Sequence, residues 1–426
     1  MSATVSDAAV ESGEVPVPHR RFDGDVQPAL PAGRRVGTLW STWRRPLLVG
    51  LGVTVVLRLV TEWIALDAAY GSQFPHVLAH NPRVWFDVWN HWDAGYYLAI
   101  AEHGYPVSTA STGHLPRPVA FGPLYPAAVW SVRAVTGIGV VVVGQVVSFV
   151  ALVAAATGIA HLVERDEDSR RAGATVTLLV AFPTAFFLLA DYPDSLALAL
   201  CVWSFIAVRD RRWLLAGLAA AGATMTKYYL AVAVVALAYE VWTSRPGNRD
   251  GTRDRLRRAF PALAAVVGPT VVAVGAWMLV CGIRYGDPLA FVHAQADWQR
   301  HVAWPWQLAT HTLGDLVHLR FLDTATASIM ELLDTVTLVL LTAATVVAFR
   351  TTRRSYGILL ALGLASFLFQ NMLYNDTREV LVLFPFFIVG AGFVDGHPWR
   401  ERAVLACLLP TGYFLIVRFV TGSFSG

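Results

Sequence analysis

Uncharged apolar runs of roughly 20 residues, long enough to cross a hydrocarbon core, recur almost to the C-terminus, and about ten can be counted. In lipid, runs of this length must be helices, because only a helix satisfies all of its backbone N–H and C=O groups internally. The pattern therefore predicts an all-α polytopic membrane protein. The first run, residues 46–66, follows a polar stretch rich in Pro and Gly, "SGEVPVPHRRFDGDVQPALPAGRR". That stretch lacks the early apolar core of a signal peptide, so residues 1–45 are expected to be a disordered tail and residues 46–426 the membrane domain.

Charge orients the runs. Arg34, Arg35, Arg44 and Arg45 precede the first one, which keeps the tail cytoplasmic and puts a first outer loop at residues 67–118. "ERDEDSRR" (164–171), "RDRR" (209–212), "SRPGNRDGTRDRLRR" (244–258), "RTTRR" (350–354) and "HPWRER" (397–402) all suit the cytoplasmic side. That leaves "ADYPDS" (190–195), "TKYY" (226–229), a second outer loop at 283–325 and "YNDTRE" (374–379) for the far side. Parity between residues 119 and 162 demands one crossing or three, although two apolar runs lie there. Either residues 119–136 form a half-helix or re-entrant piece, or "ERDEDSRR", whose acids nearly balance its arginines, misleads.

The outer pieces hold most of the unusual polar and aromatic residues. In "VWFDVWNHWDAGYYLAIAEHGYP", residues 84–106, Trp85, Trp89, Trp92, Tyr96 and Ile100 fall on one face of a helix, as at a membrane interface. Asp93 shares a side with Asn90 and Tyr97, at the water edge of the bilayer. It is either the wet residue of an anchor or a working carboxylate. "GYP" then breaks the helix, and "FGPLYP" (121–126) re-enters the apolar region.

Composition narrows the classes. With 55% hydrophobic and 15% charged residues, the chain is too apolar for an ordinary soluble domain. A net charge of +3, spread over short clusters, does not indicate nucleic acid. Cys201, Cys281 and Cys407 lie in or at the edge of predicted spans and read as small buried hydrophobes, with no disulfide framework. No His or Cys pair has zinc spacing. Carboxylates such as Asp87, Asp93 and Asp194 suit a hard cation, but nothing in their spacing demands one. Phosphate-cradling and dinucleotide glycine motifs are absent.

"HWDAGYYLAIAEHGYP" followed by "FGPLYP" resembles the signatures of the PIG-V family of mannosyltransferases, within the GT-C superfamily. The likeness continues in order through "AFPTAFFLLADYPDSLALAL", "RDRRWLLAGLAAAGATMTK", "GDPLAFVHAQADWQRHVAWPW" and "TREVLVLFPFFIVGAG". It covers roughly residues 80–395. It implies a GT-C-like bundle of about 9 to 12 transmembrane or re-entrant helices with a catalytic first outer loop. The implied activity is inverting transfer of mannose from polyprenyl phosphomannose to a lipid, glycan or protein acceptor outside the membrane, with Asp93 as general base. The leaving phosphate needs cationic donors, for which Lys227, Arg378 and Arg300 are the candidates. Relatives commonly carry Arg where Lys227 stands and Tyr where Glu379 follows Arg378; an extra acid beside the leaving phosphate departs from the family pattern.

Substrate contacts are expected from Trp92, Tyr97, Glu102, His103, Tyr125, Asp191, Tyr192 and Asp194, and from His293, Gln295 and Trp298 in the second loop. Asp194 equally suits a helix cap, and the tryptophans an interface belt. A transporter or flippase, or an inactive relative that binds lipid-linked sugar, is the alternative reading. Transporters often show matched halves, and none is evident here.

Overall fold

The computed structural model describes residues 35–81, 83–106, 117–244, 252–317 and 327–423. The expected tail up to residue 34 and residues 107–116 and 318–325 of the two expected loops lie outside them. The described chain is helical, with one isolated antiparallel bridge between Val302 and Gln370. Its longer helices are α1 (Arg35–Tyr70), α2 (Asp93–His103), α3 (Leu124–Thr136), α4 (Val140–Asp166), α5 (Ser169–Ala181), α6 (Asp194–Arg209) and α7 (Trp213–Thr226). They continue as α8 (Ala233–Thr243), α9 (Thr252–Tyr285), α10 (Pro305–Val317), α11 (Ala327–Thr351), α12 (Arg354–Leu368), α13 (Pro385–Val394) and α14 (Pro398–Val420). The α1 helix starts at Arg35, so residues 35–45, expected in the tail, are helical.

Among the described residues, five helices are long and apolar enough to cross a membrane, in α1, α4, α9, α11 and α14, which makes this an integral membrane protein. A sixth candidate is a broken pair, Asp376–Val382 with Pro385–Val394, bent by 91°. Fewer full spans exist than apolar runs because the mid-chain runs are interrupted. Helices α5, α6 and α7 have 13, 16 and 14 residues. At about 1.5 Å per residue they reach roughly 20–24 Å, short of a hydrocarbon core of about 30 Å. Helix α3, with 13 residues, is equally short and stops at Gly137, whose φ of +70° closes its C-terminus.

The interruptions sit inside protein. Residues 181–195 are all buried although mostly non-helical, the condition under which irregular backbone is tolerated at membrane depth. Around them α4 packs Leu152, Ala156, Ile159 and Ala160 against Ala197, Cys201, Val202 and Phe205 of α6. Leu48, Leu59 and Trp63 of α1 and Val271, Val272 and Ile283 of α9 face outward, as lipid-facing residues do. Of the three free cysteines, Cys201 and Cys281 are buried, whereas Cys407 is exposed on α14 rather than buried as expected.

The single helix expected over residues 84–103 is broken in two. A short turn at Val84–Asp87 is followed by loop, and α2 begins only at Asp93. The break is at Trp92, whose φ of +56° and ψ of −125° no helix can continue. The expected aromatic face is therefore split: Trp89 is wholly buried and Trp92 is 46% exposed. The Trp89 indole donates to Glu62 Oε2 of α1 at 3.0 Å. The Gln145 side chain of α4 donates to Phe86 O at 2.8 Å. Two transmembrane helices thus hold the loop that leads to Asp93.

Glycine sets the closest helix approach. A Cβ on Gly217 of α7 would collide with Ala265 O and lie 2.8 Å from Val266 O of α9. Small residues allow such backbone contact in membranes. Gly217→Ala is therefore expected to push α7 from α9 at a cost of about 1–3 kcal/mol. Thermal unfolding of the detergent-purified protein checks this; an unchanged midpoint would show that the helices part freely.

Candidate active site

The interruptions converge. Asp194 opens α6, Lys227 follows the last residue of α7, and Arg378 lies in the turn Asp376–Glu379 before the break at Leu383. A carboxylate at a helix N-terminus and an ammonium at a C-terminus each complement the local dipole. Arg378 is positioned by its own turn, because Asp334 Oδ1 of α11 accepts from both Thr377 N and Thr377 Oγ1 at 2.7 Å. Thr184 of the buried non-helical segment donates to Thr377 O at 2.9 Å.

These side chains form one ionic chain. Arg378 Nη1 lies 3.3 Å from Asp93 Oδ2, and its Nη2 lies 3.0 Å from Asp194 Oδ2. Lys227 Nζ is 2.7 Å from Asp194 Oδ1 and 2.7 Å from Glu379 Oε2. The order is Asp93, Arg378, Asp194, Lys227, Glu379. Arg378 also rests on Tyr192 and Phe187, with its guanidinium carbon 4.3 and 4.8 Å from the ring centres. The three middle members are buried, and the two terminal carboxylates face a cavity.

That cavity, about 330 Å³, collects Asp93, Tyr97, Lys227, Gln295, Trp298, Arg300 and Arg378 from among the residues singled out in the sequence. Its aromatic wall is Tyr97, Phe121, Tyr228, Phe291 and Trp298, and Phe121 makes an edge contact with Trp298 at 5.5 Å. Gly122 lets this wall approach Lys227: a Cβ there would meet Thr226 O at 2.5 Å and Met225 O at 2.6 Å. Arg117 clamps the wall through Asp297, with its backbone N donating at 2.8 Å and Nε at 2.9 Å. Burial opposes ionisation of Asp297, but the Arg117 hydrogen bonds outweigh it and hold the carboxyl below its ordinary range. Arg300 differs from the other two cations in making no ion pair with a carboxylate among the described residues. Its Nη2 donates to Tyr374 O at 2.7 Å, its plane stacks 4.5 Å over the Tyr374 ring, and its Nε has no acceptor.

The other expected contacts lie elsewhere. Glu102 pairs with Arg133 at 2.9 Å and His103 is exposed, because both sit on the last turn of α2, away from the cavity. Tyr125 is wholly buried, and its hydroxyl donates to Gly144 O at 3.1 Å. Asp191 accepts from Gln145 at 3.1 Å in a separate cluster with Arg58 and Glu62. Tyr192 works beneath the cavity, donating to His91 O at 2.9 Å just ahead of the Trp92 break. Asp194 is central to the ionic chain but does not line the cavity, and its side chain makes no cap hydrogen bond. His293 is exposed and pairs with Asp287 at 2.7 Å. Trp92 does not reach the cavity either. Sequence reading passed over Tyr228, Tyr229, Gln370, Asn375 and Asp376, all in the lining. Four of these lie in the quoted "TKYY" and "YNDTRE", in which the charged residues Lys227, Arg378 and Glu379 were weighed; Gln370 lies in neither. Among the described residues no group of three His, Cys, Asp or Glu is placed to hold a metal ion.

Residues 118–277 match the family of dolichyl-phosphate-mannose-protein mannosyltransferases, over less than half of the chain. No curated protein matches it. The oligosaccharyltransferase of Archaeoglobus fulgidus, solved tethered to an acceptor peptide with the NVT sequon, overlays at 12% identity and a TM-score of 0.44. That overlay covers 88% of this chain and 55% of that one. The apo form gives 12% identity, a TM-score of 0.45 and coverage of 88% and 56%. The chain thus spans about half the length of those structures.

Removing the central carboxylate should harm the protein more than removing a terminal one. Asp194→Ala leaves Arg378 and Lys227 each short of a partner, whereas Asp93→Ala leaves Arg378 on Asp194. Breaking a buried pair typically costs about 3–5 kcal/mol. Melting temperatures of the two variants in detergent check this; equal shifts would mean that the chain is not stabilised from its centre.

Proposed function

We propose that the protein is a membrane glycosyltransferase of the PIG-V type, with a GT-C-like bundle. It would move a mannosyl residue from polyprenyl phosphomannose to a lipid, glycan or protein acceptor on the extracytoplasmic face. The observation that carries this reading is a carboxylate, Asp93, facing a cavity lined also by an aromatic wall and by Arg300, which among the described residues makes no ion pair with a carboxylate. Further support comes from the likeness of residues 118–277 to the dolichyl-phosphate-mannose-protein mannosyltransferases. A cavity of about 330 Å³ is at the small end of the roughly 300–1,000 Å³ range of ligand sites, which suits one sugar and its phosphate.

In the proposed step an acceptor hydroxyl oxygen attacks the sugar's anomeric carbon as the bond from that carbon to the phosphate oxygen breaks. Asp93 takes the hydroxyl proton, and the electron pair leaves on the polyprenyl phosphate, so the anomeric configuration inverts. Arg378 holds one Asp93 oxygen and thereby orients the carboxylate. The phosphate is best received by Arg300. Lys227 and Arg378, expected as phosphate ligands, already bind carboxylates, whereas Arg300 has donors to spare.

Membranes carrying wild-type protein or Asp93→Asn, given radiolabelled polyprenyl phosphomannose and a lipid extract, provide the test. Wild type should transfer label, and the variant should lose about 10²–10⁴-fold while still folding. Arg300→Gln should mainly raise the donor KM. Equal transfer by wild type and Asp93→Asn would remove Asp93 as base.

A further inference from the structure

We infer that Glu379 is a second substrate-facing carboxylate, which holds hydroxyl groups of a pyranose and sets which sugar the cavity accepts. The inference rests on the glycosyl-transfer reading above and adds a specificity residue to it. The ionic chain is symmetric about Asp194. Asp194 is fully buried and gives one oxygen to Arg378 and the other to Lys227. Each cation passes its remaining charge to one more carboxylate, Asp93 on one side and Glu379 on the other. Both terminal side chains stay accessible, at 29% for Asp93 and 20% for Glu379, while the three between them are at 6% or less. Both line the same cavity.

A merely compensating acid would not need this geometry. Lys227 holds only Oε2 of Glu379, and Tyr229 OH donates to Glu379 O at 2.8 Å, which fixes the backbone under it. A carboxylate fixed through one oxygen offers the other as an acceptor, the chemistry that suits sugar hydroxyls. The neighbouring wall is also short of partners. Asn375 Oδ1 is buried without a hydrogen bond among the described residues, in a residue that lines the cavity beside Glu379. Lys227 accordingly serves as the clamp of Glu379, and the acid that looked misplaced beside a phosphate ligand has its own cation.

Two sources could supply the hydroxyls, the transferred sugar or a sugar of the acceptor, and one experiment separates them. Membranes with wild type, Glu379→Gln or Glu379→Ala would be given polyprenyl phosphate carrying mannose, glucose or galactose, and transfer would be followed over donor and acceptor concentrations. If Glu379 reads the transferred sugar, the ratio of kcat/KM between the preferred and the epimeric donors should fall roughly tenfold or more in both variants. If it reads the acceptor, donor ratios should hold and the acceptor KM should rise by a similar factor. Either supports the inference. Unchanged donor ratios and acceptor KM in an active variant would overturn it, as would failure of both variants to accumulate folded protein, since Glu379 would then be structural. No transfer from any donor by wild type would instead overturn glycosyl transfer itself.

Discussion

A fully buried carboxylate between two basic side chains organises the middle of this protein. Asp194 has no exposure, and an isolated charge at that depth would be prohibitive. Arg378 and Lys227 satisfy it from opposite sides, each from a different interrupted segment. Such a pair adds little net stability over apolar packing, but it demands that its members meet. Once α6, α7 and the turn before α13 are joined there, Asp93 and Glu379 follow as the outer ends of the same chain.

The surrounding backbone serves that junction. The helices that would otherwise cross are stopped early, so their polar ends meet inside the bundle and not at its surface. The Trp92 conformation turns the chain so that α2 begins at Asp93, and Tyr192 holds the preceding carbonyl while carrying Arg378 on its face. On the other side, His301 N donates to Asn371 Oδ1 at 2.9 Å and Ala303 N donates to Phe369 O at 3.1 Å. Those bonds bring Arg300, distant in sequence, over Tyr374. The result is a cavity with acid at two corners, an arginine at a third and rings between them.

Much of this was legible from residue types. Hydropathy announced a helical membrane protein, and Asp93, Lys227, Arg300 and Arg378 stood out as charges in apolar or aromatic surroundings; all four face the cavity. Helical spacing also paired Asp93 with Tyr97, one turn on, and both line it. The same spacing failed for Trp89, because a period of 3.6 says nothing about a backbone angle at Trp92 that ends the helix. Glu102 and His103 were near Asp93 along the chain, yet about two and a half turns of helix carry them away from the cavity, Glu102 to Arg133.

The sequence alone established the solvent, since 55% apolar residues in long uncharged runs have no stable home but lipid. It also singled out charges in apolar surroundings, which are rarely incidental there, and four of them line the cavity. Which charges pair was a matter of three-dimensional arrangement. Asp194 and Arg378 are 184 residues apart, and no local period connects them. Folding alone shows that Lys227 is occupied by two acids and that Arg300 is not. It likewise shows Glu379, an oddity in one dimension, as the counterpart of Asp93. The reason is physical: hydropathy is a property of each residue, whereas compensation of buried charge is a property of the pairs that long-range packing creates.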